Sequence, residues 1–246
     1  MISLKDLGFG MRQVPTRDGS VVHQLETPFR ICRDAPLEAY VQTFDEEVRF
    51  FDEGLNLHAL LALGMSFEEE AAWDRLQDVF RGTGVVLHPS GLIEMIAPRK
   101  RAEEACARYL LALTQLVSLP ADKNCPMDRD RKEYVARAAL ALRCLLPEAG
   151  MECFPVVQTA SGAISFDLRV DGKCVDVLSV DAVRSHVGKV EALRRERPDV
   201  QTLAVIIDVG DEQGRAAAEM EAIGGAVPVM LLSELVASAL RPKRQP

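Results

Sequence analysis

The stretch Ile164-Ser-Phe-Asp-Leu-Arg-Val-Asp-Gly-Lys-Cys-Val-Asp-Val-Leu-Ser179 constrains the chain more than any other. It holds two apolar-alternating runs on either side of Asp171-Gly172. Asp-Gly supplies the two positive-φ positions that a two-residue turn demands, so the stretch reads as a β-hairpin. Asp167 on the first strand and Asp176 on the second then lie within a residue of being opposite, on one side of the sheet. Paired carboxylates on neighbouring strands are what a divalent-cation site uses, because Mg²⁺ takes hard oxygen ligands and leaves the other positions to water and phosphate. The competing reading is two solvated charges on the outer face of an ordinary hairpin.

Length and composition narrow the rest. The 246 residues suit one or two domains, and 48% apolar with 27% charged content is that of a globular protein with ample core. No apolar run is long enough to span a bilayer, so no membrane partner is expected. The start, Met1-Ile-Ser-Leu-Lys-Asp-Leu7, lacks the basic-then-apolar layout of a secretory signal, and the expected location is cytoplasmic. Six scattered cysteines without a C-x-x-C pair argue against zinc and for reduced thiols. The formal charge of −8 argues against a protein that coats nucleic acid electrostatically, and leaves room for a local basic groove.

Two segments of different grammar meet near Leu119-Pro-Ala-Asp-Lys-Asn-Cys-Pro126. In the first, short strands are expected at 21–26, 37–44 and 47–51, with Asp52-Glu53-Gly54 as a solvated turn. A helix at 55–63 follows, then a second at 67–81 behind the capping box Ser66-x-x-Glu69, a hairpin at 85–96, and a long amphipathic helix over 99–119. The second segment reads as helix 129–146, strand 152–158, the 164–179 hairpin and helix 182–195. Strand 202–208, helix 214–223, strand 227–231 and a terminal helix capped by Ser233 complete it. The four histidines, His23, His58, His88 and His186, fall in unrelated contexts and read as structural or surface residues.

Helix, three meandering strands, helix, strand is the core order of the PD-(D/E)XK, or restriction-endonuclease-like, superfamily, and the second segment resembles it. In that superfamily an acid sits on the second core strand, and a second acid followed by x-Lys sits on the third. Asp167 matches the first acid and Asp176 the second, but Leu178 stands where the lysine belongs. The resemblance implies Asp167 and Asp176 as metal ligands and catalytic acids, with Lys189 on the following helix as a displaced lysine. Glu133 or Glu148 is the candidate for an assisting acid. Arg169 is placed to hold Asp167 in a structural ion pair, and Lys173 points to solvent. The first segment, through Leu25-Glu-Thr-Pro-Phe29, Leu37-Glu-Ala-Tyr-Val41 and Arg49-Phe-Phe-Asp-Glu-Gly54, is similar to an uncharacterised bacterial and phage domain family often fused to such a domain.

The expected architecture is an α+β N-terminal module over 1–122 and an α/β restriction-endonuclease-like domain with a mixed central sheet over 127–246. The expected function is that of a nuclease-fold protein with a degenerate active site, binding nucleic acid or a defence or counter-defence protein in phage and mobile-element conflict. The alternative is an active Mg²⁺-dependent DNA endonuclease using Asp167, Asp176 and Lys189. Mg²⁺ is expected only in that alternative, and a homodimer is compatible with either. Leucine for lysine tips the balance toward binding, because electrostatic stabilisation of that kind contributes on the order of 10²–10³ in rate.

Overall fold

The computed structural model describes residues 4–16, 20–32, 35–123, 131–209, 212–223 and 227–241. It is a mixed α/β protein with several sheets, and it divides into two compact units. One comprises residues 1–133 with the chain end from Leu240, and the other Tyr134–Ala239. The division falls inside a helix rather than in the Pro-rich stretch at 119–126, of which residues 124–126 lie outside the described part.

The first unit is built on an antiparallel sheet. Its strands are β1 (Gly10–Val14), β2 (Val22–Glu26), β5 (Tyr40–Thr43), β6 (Glu47–Phe51), β7 (Val86–Leu87) and β8 (Ile93–Pro98), in the order β1-β2-β5-β6-β8-β7. A small pair, β3 (Arg30–Cys32) and β4 (Ala35–Pro36), stands apart. Helices α1 (Leu55–Ala62), α2 (Glu70–Phe80) and α3 (Ala102–Leu113) complete the unit. Alternation along β6 turns Val48 and Phe50 inward. Phe50 stacks on Tyr109 of α3 at 5.8 Å, and the Tyr109 hydroxyl donates to the Ile93 carbonyl at 3.1 Å.

Several expectations are corrected here. The helix expected over 99–119 is three pieces: a 3₁₀ turn (Arg99–Arg101), α3, and a second 3₁₀ stretch (Leu116–Lys123). Thr114 ends α3 by turning its hydroxyl back to the Leu111 carbonyl, at 2.7 Å. The capping box does not form: α2 starts at Glu70, and Glu69 at its N-cap makes no side-chain cap bond. Asp52 is not solvated but fully buried. Its carboxylate accepts the N–H groups of Gly54 (2.9 Å), Ile93 (2.8 Å) and Asn56 (3.2 Å), tying the start of α1 to β8.

The second unit opens with α4 (Arg131–Leu145), followed by β9 (Met151–Cys153), β10 (Val156–Thr159), β11 (Gly162–Ser165), β12 (Leu168–Val170) and β13 (Lys173–Leu178). Then come α5 (Val183–Glu196), β14 (Thr202–Ile206), α6 (Gln213–Ile223), β15 (Val229–Leu231) and α7 (Leu232–Leu240). The sheet order is β15-β14-β13-β12-β9. β9, β12 and β13 form an antiparallel meander, while β14 and β15 run parallel to β13 through the α5 and α6 crossovers. The α5 side of the sheet is covered where Leu178 and Ala204 meet Val190, and where Ile206 and Val180 meet Val183 and Ala216. The expected strand 152–158 is broken: Pro155 has no N–H for a ladder and Phe154 holds φ 52°, so β10 turns away and pairs with β11 instead. The expected first arm of the 164–179 hairpin is likewise divided between β11 and β12. The first turn of α7 is held by Asp208, not by Ser233 acting as a cap. Asp208 accepts the Ser233 N–H at 2.9 Å and the Ser233 hydroxyl as well.

Candidate functional site

The turn between β12 and β13 sets the geometry of everything that follows. Asp171 and Gly172 hold φ 49° and 80°, the two left-handed positions of a tight hairpin. The register runs Val170↔Lys173, Arg169↔Cys174, Leu168↔Val175. The ladder ends there: the Asp167 N–H turns to the Val175 carbonyl at 3.1 Å, and Asp167 meets Asp176 through a side-chain contact rather than as a register pair. Lys173 is exposed beside the turn.

At Asp167 the strand is already leaving the sheet toward β11. The backbone of β13 beyond Val175 has therefore lost its regular neighbour on that side, and the Asp167 carboxylate takes up the Val177 N–H in its place. Asp167 Oδ2 accepts the Val177 N–H at 2.7 Å, and Asp176 Oδ1 accepts the Asp167 N–H at 3.1 Å. Both residues are buried. An ionised carboxylate accepts several such bonds, and burial without them would be costly.

The other oxygen of Asp176 faces α5. Cys174, Asp176 and Leu178 alternate onto that side, with Cys174 packed against Leu193 and Leu178 against Val190. The helix sends two donors back. His186 Nδ1 lies 3.0 Å from Asp176 Oδ2, and the Lys189 ammonium pairs with the same oxygen. Lys189 Nζ also sits 4.0 Å from the centre of the Phe166 ring, a cation–π contact made as β11 gives way to β12. Burial pushes the Asp176 carboxyl up, but the hydrogen bonds and charges of His186 and Lys189 outweigh it and leave the group below its ordinary value. An ionised carboxylate has no hydrogen to give, so the His186 proton in this contact resides on Nδ1. Among the described residues, buried His186 Nε2 has no hydrogen-bond partner.

The structure thus brings Asp167, Asp176 and Lys189 together and adds His186. Leu178 has no route to the carboxylates' work, because its side chain belongs to the core with Val190, Ala204 and Val227. Arg169 pairs with Glu152 across β9 at 2.7 Å rather than serving as the support expected for Asp167. Among the described residues, no three His, Cys, Asp or Glu side chains gather as a cation site. His186 was readable in principle. It falls in the inward stripe Val183, His186, Val190, Leu193, where a polar side chain needs a buried partner.

Among the described residues no helix is long and apolar enough to cross a membrane. The chain matches no protein-family model, no curated protein and no solved structure.

Proposed function

We propose that the chain is a two-domain protein whose second unit is a restriction-endonuclease-like scaffold with a closed acidic site, and that it works by binding rather than by cleavage. The observation that carries this reading is the state of Asp176. Three internal donors, the Asp167 N–H, His186 and Lys189, already occupy its carboxylate. A Mg²⁺ ion would have to displace an ammonium and a hydrogen-bonded imidazole to reach it. The order α4, three meandering strands, α5 and a parallel β14 supports the scaffold assignment. The partner is a defence or counter-defence protein in phage or mobile-element conflict, or nucleic acid. The formal charge of −8 weighs toward the protein.

One observation favours a second reading, an active Mg²⁺-dependent DNA endonuclease. Lys189 reaches Asp176 from α5, as a displaced nuclease lysine must. Incubation of the purified chain with supercoiled plasmid and Mg²⁺ or Mn²⁺, beside Asp176→Ala, separates the two. The binding reading predicts intact plasmid in both lanes. Nicking that disappears in Asp176→Ala establishes the endonuclease.

A further inference from the structure

Among the residues of the acidic site, His186 has no counterpart in the expected constellation. The inward stripe of α5 is otherwise aliphatic, at Val183, Val190 and Leu193. A fourth aliphatic side chain would fill the place of His186 without a buried nitrogen, Nε2, that has no partner among the described residues. The contact that offsets this is made by Nδ1 on Asp176. Two donors share Asp176 Oδ2, and they differ in freedom. Lys189 is on a flexible stem with 28% of its side chain exposed, so its ammonium can swing into water. The His186 ring is 2% exposed and wedged under its own helix, so it cannot leave.

We propose that His186 is a positioning residue that keeps Oδ2 of the Asp176 carboxylate closed to hard divalent cations. The proposal rests on the reading of Asp167 and Asp176 as the closed acidic site of a nuclease-like scaffold. A carboxylate offers roughly four lone-pair positions. On Asp176 the Asp167 N–H takes one on Oδ1, and His186 and Lys189 take those on Oδ2. Without the imidazole N–H, the ammonium is the last donor on that oxygen, and it is the mobile one. Once it moves out, Oδ2 is open to Mg²⁺ or Mn²⁺, whose remaining positions water fills.

The test titrates Mn²⁺ into the full chain at pH 8 without nucleic acid and reads free Mn²⁺ by electron paramagnetic resonance. His186→Leu and His186→Phe remove the donor and keep bulk; His186→Asn keeps an N–H near the place of Nδ1; Lys189→Met removes only the mobile donor. The expected result is one Mn²⁺ per chain in the Leu and Phe variants, at a concentration roughly tenfold or more below that needed by wild type, as loss of a hydrogen bond to a charged group implies. The Asn and Met variants stay with wild type, and adding Asp176→Asn to His186→Leu abolishes the gain. The proposal is overturned if folded Leu or Phe variants gain nothing. It is equally overturned if His186→Asn gains as much as they do. Should neither apolar variant fold, Lys189→Met decides: a Mn²⁺ site opened by it alone shows that His186 is not the closing group, and unchanged binding supports the proposal. Plasmid cleavage by the wild-type chain would strike the binding reading instead, so the two failures are distinguishable.

Discussion

Asp176→Asn separates a closed structural network from an open cation site by the sign of its effect on stability. In the closed network the substitution removes a charge that holds three donors, and the new amide N–H must oppose either the Asp167 N–H or the His186 and Lys189 donors. A hydrogen bond to a charged group contributes about 1.5–3 kcal/mol, and removing one partner of a buried ion pair costs about 3–5 kcal/mol. Lys189 is partly exposed and recovers hydration when released, so the lower end applies, and a loss of roughly 3 kcal/mol is expected near pH 7. The pH profile adds a second criterion. The folded-state pKa of Asp176 lies below its ordinary value, so its contribution is present above the usual carboxylate range and is lost as pH falls through the folded pKa. The gap between wild type and Asp176→Asn therefore narrows below about pH 4. Trp73 is the single tryptophan and lies in α2 of the first unit, so its fluorescence does not report this site. Urea unfolding should be followed by amide exchange on β13. A metal-binding pair kept apart only by mutual repulsion predicts the opposite sign, a more stable Asp176→Asn in the absence of cations. That outcome would refute the closed-network argument.

Three other outcomes follow from the same geometry. Asp52→Ala leaves the N–H groups of Gly54, Asn56 and Ile93 without their acceptor and should destabilise the first unit by roughly 3 kcal/mol, read by Trp73 fluorescence in urea. Gly172→Ala meets no neighbour within 4 Å but must hold φ 80°, so it should cost about 1 kcal/mol in the second unit, measured by thermal unfolding followed by circular dichroism. The Tyr40 phenol, raised to about 12 first by burial and then by Glu38, should ionise earlier in Glu38→Gln yet still above its ordinary value of 10.0, read by ultraviolet absorbance titration.

The parts of this structure that local chemistry determines were legible in the sequence. Asp171-Gly172 set a two-residue turn, and the turn set the register as far as Leu168↔Val175, which brings Asp167 within reach of Asp176. Lys189 came from the resemblance, as a displaced lysine on the helix expected over 182–195, and not from local chemistry. What was hidden depended on distant partners. Phe154 is no glycine, so its left-handed conformation and the break it makes had no local marker beyond Pro155. Asp52 looked like a turn residue because its acceptor role is completed by Ile93, forty-one positions away. β1 was missed because Met11-Arg-Gln13 is exposed and carries little apolar alternation. Ser66-x-x-Glu69 had the pattern of a cap without the geometry, since the chain enters α2 through Glu69 in an extended conformation.

If the donors on Asp176 complete the Asp167–Asp176 pair, a divalent cation finds no place between the two carboxylates. A crystal structure of the wild-type chain grown with Mn²⁺, with the anomalous difference map inspected at this hairpin, tests it most directly. The closed network predicts His186 Nδ1 and Lys189 Nζ on Asp176 Oδ2 and no anomalous peak between the carboxylates. A peak about 2 Å from oxygens of both aspartates, with the ammonium turned aside, would contradict it.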